Sequence, residues 1–451
     1  MKLKSKTILL SLCLSIAACE AETTLKPTAT GIPGQTPATS QSATQTASQS
    51  ASVAPTAEPS VAPTPAPTLT PTPVPIPMPS PSTTIAPKAY TTIYTIAGTG
   101  QEGDPDTDLQ ASKISFRDVF ALTLDSKKNL YVSINNKILR ISDEIKIVDA
   151  TPYRNVSEWV TDVSQPQGLA VDSHDNLYIS DTLNHRILKV TTDKKMSVIA
   201  GSLSSPGFTG DGSPAINALL NQPAGICFDK AGNLYIADRG NHKIRKIDAS
   251  TEKISTVAGG AEIGTIISHS YPKSSLPLNP TPSPIEVITE GTLAGFSGDG
   301  GAAVNAKLDS PVSVAVDANN NVYLVDANNR IRKIDDKGII TTIAGTGSKG
   351  YNSDMADKPA TTVHLNLPQA LFVSPLDKLL YITDTKNNCI RRINPDGGIN
   401  TIAGNLRADD GIGDYSPPLN GSIAQPNVLT IDKDGIIYLY DSGHKRIRVL
   451  K

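Results

Sequence analysis

Short apolar runs alternate with turn-forming residues from residue 89 to residue 451, and this pattern predicts β-strands. The runs are four to six residues long, with clusters of Asp, Asn, Gly, Ser and Pro between them. Such clusters are typical of tight turns between strands. The apolar spacing of a helix is not sustained anywhere in this region. The pattern therefore predicts an all-β domain.

One unit of four predicted strands recurs in six copies. The second copy reads QPQGLAVD at 165–172, NLYISD at 176–181, NHRILKV at 184–190 and SVIAG at 197–201. The first copy is worn and lacks the aspartate that ends the second strand elsewhere. One tyrosine of the second strand marks the copies, at Tyr131, Tyr178, Tyr235, Tyr323, Tyr381 and Tyr438.

A four-stranded unit this small cannot cover both of its faces, so the copies are expected to stack around an axis as blades of a propeller. The sixth copy ends at residue 451, directly after its third strand. The segment TIYTIAG at 92–98 matches the fourth strand of other copies. The sequence therefore predicts a six-bladed β-propeller, closed by an N-terminal strand in the last blade. The insertion at 260–291 has no copy of the NLY strand, so we expect no seventh blade.

These motifs resemble NHL repeats, a propeller family whose units contain the same three segments in the same order. The resemblance covers residues 89–451. The stretches GFTGDG at 207–212 and GFSGDGG at 295–301 are similar to the bacterial and teneurin-like branch of that family. The resemblance implies an interaction platform in most members and an enzyme in few.

The first 18 residues are predicted to be a signal peptide. Three lysines precede an apolar stretch at 8–18 that is too short to cross a bilayer. The segment IAAC at 16–19 resembles the lipobox of bacterial lipoproteins. That resemblance implies that Cys19 is lipidated and becomes the first mature residue, anchoring the chain to the cell membrane or outer membrane, facing the periplasm or the exterior. Which membrane and leaflet receive the lipid stays open.

Residues 19–88 are predicted to be a disordered linker rich in Pro, Thr, Ser and Ala. Between residues 27 and 87 there are 15 prolines, and the only charged residue is Glu58. This composition cannot bury enough apolar surface to offset the entropy lost on folding. We expect a tether that carries the propeller away from the membrane.

Overall composition excludes several functions. The chain has 41 basic and 43 acidic side chains, a net charge of −2, which is unlike the basic surface of a nucleic-acid-binding protein. A single tryptophan, Trp159, argues against an indole-lined carbohydrate groove. Four cysteines do not make a disulfide scaffold, and Cys227 and Cys389 are predicted to be too far apart to pair.

The candidate binding surface follows from the topology of a four-stranded blade. The turn between the second and third strands and the long link to the next blade emerge on the same face, where loops vary over a rigid scaffold. The insertion at 261–290 is the most individual of these links. The candidate partner-binding residues are Asn184, His185, Asn241, His242, Asn329, Asn388 and His444.

The histidines and carboxylates have two readings. His185 and His242 either bond the turn backbone or, together with His444, hold the metal of a propeller-type lyase or hydrolase. The aspartates at strand ends, and Asp211 and Asp299, are interpreted as turn formers. The segment 104–108 has the alternating oxygens of a calcium loop but lacks the glycine and glutamate that complete one. The first strands offer no ionisable group before their turn aspartate.

The sequence therefore predicts a cell-envelope lipoprotein that presents an NHL propeller as a binding module. The expected partner is a protein, a peptide or an envelope component, and the head is expected to be monomeric. No catalytic residue, cofactor or metal is assigned. A metal-dependent lyase or hydrolase remains the alternative.

Overall fold

A computed structural model describes residues 87–103, 110–148, 151–203, 205–260, 263–270, 285–292, 294–351, 358–404 and 413–451. The predicted signal peptide, Cys19, the linker up to residue 86 and the 104–108 segment lie outside the described residues. The domain boundaries at residues 18 and 88 stay predictions.

Six four-stranded antiparallel sheets form the blades, as the repeats predict. Blade 1 contains β2 (Val119–Leu124), β3 (Leu130–Ile134), β4 (Lys137–Val148) and β5 (Thr151–Val160). Blade 2 contains β6 (Gly168–Val171), β7 (Leu177–Asp181), β8 (Arg186–Val190) and β9 (Met196–Gly201). Blade 3 contains β10 (Pro223–Phe228), β11 (Leu234–Asp238), β12 (Lys243–Ile247) and β13 (Ile254–Ala258).

The remaining blades follow a two-stranded insertion made of β14 (Ile263–Ser270) and β15 (Ile285–Thr292). Blade 4 contains β16 (Ser313–Val316), β17 (Val322–Asp326), β18 (Arg330–Ile334) and β19 (Ile340–Ala344). Blade 5 contains β20 (Leu371–Val373), β21 (Leu380–Asp384), β22 (Cys389–Ile393) and β23 (Ile399–Ala403). Blade 6 contains β24 (Pro426–Ile431), β25 (Ile437–Asp441), β26 (Arg446–Leu450) and the N-terminal β1 (Ile93–Ala97).

The N-terminal strand closes the ring, which confirms the sequence prediction. β1 pairs antiparallel with β26, with Ile93 opposite Leu450. The backbones of Thr92 and Lys451 exchange hydrogen bonds of 3.1 and 3.0 Å. Because β1 pairs with β26, the last strand of the chain is covered and is not an unpaired sheet edge.

The core lies between neighbouring blades. The second strand of each blade is buried along its whole length. Between blades 3 and 4, for example, Tyr235 and Ala237 of β11 pack in one apolar cluster with Val314 of β16 and Leu324 of β17. Successive residues of a strand point to opposite faces of the sheet, so alternating apolar residues contact the preceding and the following blade.

The links between blades are more regular than their variable sequences indicate. Four of them carry a short 3-10 helix, at Ala111–Lys113, Ala215–Asn217, Ala303–Asn305 and Ala360–Thr362. The first alanine of each of these helices is buried. The sequence predicts variable loops here, whereas part of each of these four links belongs to the core.

The insertion between blades 3 and 4 is a separate antiparallel hairpin and not a blade. β14 and β15 pair in continuous register from Ile263 opposite Thr292 to Ser270 opposite Ile285. The expectation that no seventh blade is present is therefore confirmed. Among the described residues, no helix combines the length and apolarity that crossing a bilayer requires.

Candidate functional site

The turns between the second and third strands of blades 2 to 6, residues 181–186, 238–243, 326–330, 384–389 and 441–446, define what we call the turn face. A 3-10 helix follows the second strand in three of these turns, at Thr182–Asn184, Arg239–Asn241 and Thr385–Asn387. The next residue adopts the left-handed conformation in every one of the five turns. These residues are His185, His242, Asn329, Asn388 and Lys445, with φ between 53° and 60°.

Four of the predicted binding residues fasten one blade to the next. His185 Nδ1 accepts a hydrogen bond of 3.0 Å from the backbone N–H of Gln222, and His242 Nδ1 accepts one of 2.9 Å from Ser310. Each partner is the residue before a proline at or just before the next blade's first strand. In later blades a side-chain amide oxygen takes the place of the imidazole nitrogen. Asn329 Oδ1 accepts a hydrogen bond of 2.9 Å from the backbone N–H of Leu367, and Asn388 Oδ1 accepts one of 2.9 Å from Gln425. We call this hydrogen bond from one blade's turn to the next blade the bracket.

The two histidines act as acceptors at Nδ1, so they are neutral in this arrangement. Burial lowers the pKa of His185 below its usual value. Burial also lowers the pKa of His242, and the nearby Asp309 carboxylate opposes that shift. The sequence reading in which these residues bond the turn backbone agrees with these contacts, although the backbone they bond belongs to the neighbouring blade.

Asn184, Asn241 and His444 hold a different position, one residue earlier in the turn. Asn184 Nδ2 donates to both oxygens of Asp181 at 3.0 Å, and Asn241 Nδ2 donates to Asp238 at 2.7 Å. His444 Nδ1 lies 2.8 Å from Asp441 Oδ2. His444 is therefore the counterpart of these asparagines and not of His185.

The structure does not bring the three histidines together. Each Nδ1 is engaged in its own turn or bracket. In the part of the chain that the structure describes, no group of three or more His, Cys, Asp or Glu side chains is arranged to hold a metal ion. The metal-dependent alternative loses the ligand set on which the sequence reading based it.

The repeat aspartates before the turn between the first and second strands bond the backbone of that turn, as the sequence predicts. Those that end the second strand instead accept a backbone N–H group from the link before their blade, so the turn role predicted for them is wrong. At the end of the second strand, Asp238 Oδ1 accepts the backbone N–H of Asn221 at 2.8 Å. Before the opposite turn, Asp172 Oδ1 accepts the backbone N–H groups of His174 and Asn176, both at 2.9 Å. Oxygens used this way satisfy buried backbone donors.

Sequence reasoning missed a set of buried arginines beneath the turn face. Arg245, Arg332, Arg391 and Arg448 are among the most deeply buried large side chains, each no more than 1% exposed. Each lies on the third strand of its blade and faces the aspartate that ends the second strand. The nitrogen–oxygen distances are 3.4 Å to Asp238, 3.7 Å to Asp326, 3.2 Å to Asp384 and 3.1 Å to Asp441.

Among the described residues, three of these arginines also reach a carboxylate in the link before their blade. Arg245 Nη2 lies 2.7 Å from Asp211, Arg332 Nη2 lies 2.6 Å from Asp299, and Arg448 Nη2 lies 2.8 Å from Asp414. The interpretation of Asp211 and Asp299 as turn formers was therefore incomplete, because they are the outer ends of buried ion pairs. A sequence signal exists: both Gly-Asp-Gly links precede blades with arginine at this position.

The links and the turn face carry most of the exposed large apolar side chains among the described residues. Only Met196, at the start of β9, lies outside these segments. The others are Leu183, Leu203, Ile216, Phe296, Val304, Tyr351, Tyr415 and Leu419, exposed between 36% and 79%. Two of the aromatic rings lie over arginines, Phe296 at 3.8 Å from Arg330 and Tyr351 at 4.9 Å from Arg391.

The chain enters the propeller on the opposite face. Lys88 Nζ donates to the backbone oxygen of Asp434 at 2.6 Å, and Tyr90 donates its hydroxyl to the oxygen of Gly435 at 3.1 Å. Asp434 and Gly435 form the turn between the first and second strands of blade 6. The residues that lead into β1 therefore lie away from the turn face.

Comparisons with known proteins agree with this architecture. The family model of the teneurin NHL domain matches residues 91–279 and 294–410. Mouse teneurin-1 is 27% identical over 363 residues, which is 73% of this chain but 12% of that protein. Human NHL repeat-containing protein 2 is 26% identical over 292 residues, covering 61% of this chain and 37% of that protein. The chain thus matches well under half the length of either relative.

A solved structure shares the fold at low sequence identity. The auxiliary nutrient binding protein from Bacteroides thetaiotaomicron superimposes with a TM-score of 0.53 at 16% identity, covering 81% of this chain and 77% of that chain. At this identity the likeness concerns the fold.

Proposed function

This chain belongs to the teneurin NHL domain family, and on that premise we propose that its propeller is a binding module and not an enzyme. The turn face and the adjoining links hold a protein, a peptide or an envelope component. The histidines and asparagines that sequence analysis selected act as the frame of that surface. The exposed apolar side chains of the links make the contact.

The observation that carries this proposal is where the apolar surface lies. Large apolar side chains that stay exposed in the folded protein are available to contact a partner. Here they belong to the links and the turns, except for Met196. Buried arginine–aspartate pairs hold three of these links in place, so the surface is preorganised, which lowers the entropy cost of binding.

We further propose that the chain is a lipoprotein anchored in the bacterial cell envelope through Cys19. Residues 88–90 contact the face opposite to the turn face. The support for this proposal is the IAAC segment at 16–19 and the proline-rich composition of residues 27–87. Acylation of the kind that the lipobox resemblance implies holds a protein firmly on a bilayer.

Site-specific photo-crosslinking in the full chain tests the binding surface. A photoreactive residue replaces Leu203, which is 56% exposed in the link after blade 2, and in a second variant replaces Met196, which is 48% exposed at the other end of β9. The two positions match in exposure and in apolar character. We expect one partner captured reproducibly from Leu203 and not from Met196. Equal capture from both positions would contradict the proposal.

Membrane fractionation tests the anchor separately. The Cys19→Ser variant of the full chain should leave the membrane fraction and appear among the soluble proteins, while Cys13→Ser should stay with the membrane. Mass spectrometry of the mature chain should find the lipid on Cys19. An unchanged distribution of the Cys19→Ser variant would contradict the lipid anchor and leave the binding surface untouched.

A further inference from the structure

The six first strands enclose an axial channel with a volume of about 840 Å³. Its wall is made of apolar and neutral polar residues from every blade. Phe120, Leu169, Val314 and Phe372 are examples. Arg239 is the only formally charged side chain among the described residues that line it.

Arg239 comes from the turn face of blade 3, at a position where other blades have a small side chain. Thr182 and Thr385 there donate their hydroxyls to backbone oxygens of the next blade, both at 2.7 Å, and Ser442 donates to Gln425 at 2.6 Å. Blade 4 has Ala327. Arg239 instead lines the channel, with Nη1 donating to Gln167 Oε1 of blade 2 at 3.3 Å.

The guanidinium of Arg239 has no carboxylate partner within ion-pair distance among the described residues. The nearest in sequence, Asp238, is turned toward the buried Arg245 at 3.4 Å. A guanidinium offers five N–H donors, and the hydrogen bond to Gln167 uses one of them. The channel therefore holds an uncompensated cation whose remaining donors are free to meet a ligand.

The other end of the channel has the opposite charge. A shallower cavity of about 290 Å³ adjoins it there and shares Leu124, Val171 and Ile431 with it. Its rim contains four carboxylates, Asp125, Asp172, Asp175 and Asp432, and two lysines, Lys128 and Lys433. An anion is repelled at that rim and attracted at Arg239, so the field along the axis favours entry from the turn face.

We propose that the axial channel binds a small organic carboxylate, with its carboxylate on Arg239 and its apolar body between the first strands. The channel volume lies in the range of about 300–1,000 Å³ typical of small-molecule sites. A carboxylate that pairs with a guanidinium inside an apolar wall forms a charge-assisted bidentate bond. The channel opens at the turn face, where Arg239 lies, but carboxylate binding inside the channel and partner capture at the links are measured separately, and either can fail without the other.

Titration calorimetry of the full chain with octanoate tests the site. Octanol and octylammonium serve as neutral and cationic probes of the same chain length. Octanoate is expected to bind one per propeller, about tenfold or more tighter than either. Arg239→Thr, which installs the residue of blades 2 and 5, should weaken octanoate binding about tenfold or more, and Arg239→Lys less. The control Lys386→Thr removes an exposed cation from the same face outside the channel and should leave binding unchanged.

Three outcomes would overturn the proposal: no octanoate binding at millimolar concentration, equal binding of octanoate and octanol, or unchanged octanoate affinity in Arg239→Thr.

Discussion

Blades 1 and 2 differ from blades 3 to 6 at one position in the middle of the third strand. Blades 1 and 2 have Leu139 and Leu188, which lie opposite Val132 and Ile179 of the second strand. In the other blades the equivalent residue is arginine, as in Arg245 opposite Ile236. All of these side chains are buried. The same place in the same fold therefore accepts either an apolar side chain or a full positive charge.

Whether the third strand has arginine or leucine at this position depends on the link that packs against it. Blades 3, 4 and 6 follow long links whose carboxylates Asp211, Asp299 and Asp414 reach the arginine. In blade 5 the ring of Tyr351 covers it. Blade 2 follows a short link, and blade 1 ends its second strand with Ile134 and Asn135 instead of an aspartate. Arginine is thus found where a link must be held and a carboxylate lies below it, and leucine where packing suffices.

Replacing a buried arginine by the leucine found in blades 1 and 2 should cause the largest loss of stability. In Arg245→Leu the apolar residue fits the strand, but Asp238 keeps a buried carboxyl without its cation, and Asp211 loses its anchor. Removing one partner of a buried pair costs on the order of 3–5 kcal/mol. We expect a loss of that size in the free energy of unfolding, measured by urea denaturation.

The double variant Arg245→Leu with Asp238→Asn provides the control, since it removes the uncompensated charge as well. It should regain a large part of the stability lost in Arg245→Leu. If the single variant were as stable as the native chain, leucine could replace the buried arginine without cost. The arginine would then not contribute to the stability of blade 3.

Among the blades with a buried arginine, blade 4 should show a pH-dependent stability because of Asp326. Its Oδ2 has no hydrogen-bond partner and lies 3.7 Å from Arg332. Burial raises the pKa of Asp326 to about 7, and the hydrogen bond from the backbone N–H of Asp309 opposes that shift. The ordinary pKa is about 3.9. Between roughly pH 4 and 7 the folded chain therefore binds a proton that the unfolded chain does not, so stability falls as the pH rises through this range.

In Asp326→Asn this contribution disappears. Thermal unfolding at pH 5 and pH 8 gives the difference in stability between the variant and the native chain. That difference should favour the variant more at pH 8 than at pH 5. Asp193→Asn is the control, because the hydrogen bond from Lys195 lowers the pKa of that exposed carboxyl and places its titration below this range. The same pH response in both variants would contradict the assignment to Asp326.

Much of the fold could be predicted because it repeats. Six copies of one strand pattern, and a fourth strand missing from the last copy but present at residues 92–98, are enough to specify a closed ring. The buried arginines could not be found this way. An arginine on a strand reads as exposed, and only the three-dimensional position of Asp238 and Asp211 shows that Arg245 is neutralised on both sides.

The candidate site was predicted in part for a related reason. The repeat placed His185 and Asn388 correctly at equivalent positions, but their partners are backbone groups of the next blade. Such partners leave no pattern in the sequence. His444 lies one residue before the position of His185 and Asn388, where its own turn has Lys445, so no side-chain acceptor stands at that position in blade 6.

The bracket residues allow a smaller test, which compares the two histidine blades with the two asparagine blades. Because burial lowers the pKa of His185 and His242, the folded chain binds fewer protons than the unfolded one. Their contribution is therefore present above pH of about 6.5 and is lost as the pH falls below it. His185→Asn with His242→Asn keeps an acceptor and removes the titration. Thermal unfolding should then lose less stability between pH 7 and 5 than in the native chain, with little change at pH 8. An unaltered pH response would contradict the bracket role.

The smallest change in stability is expected when Asp211, the link carboxylate that pairs with Arg245, is replaced. This variant tests whether the pair anchors the link or stabilises the core. Asp211→Asn removes a carboxylate whose side chain is half exposed, while Arg245 keeps Asp238 below it. Exposed ion pairs contribute up to about 1 kcal/mol, so the free energy of unfolding should change by no more than that. The link itself should open more often, and limited chymotrypsin digestion should cut after Phe208 faster than in the native chain. Asp193→Asn, which removes an exposed partner of Lys195, should leave that rate unchanged. Because global stability and link cleavage are measured on the same variant, a faster cut at unchanged stability assigns the arginine–link pair to holding the binding surface, whereas a stability loss as large as that of Arg245→Leu would assign it to the core.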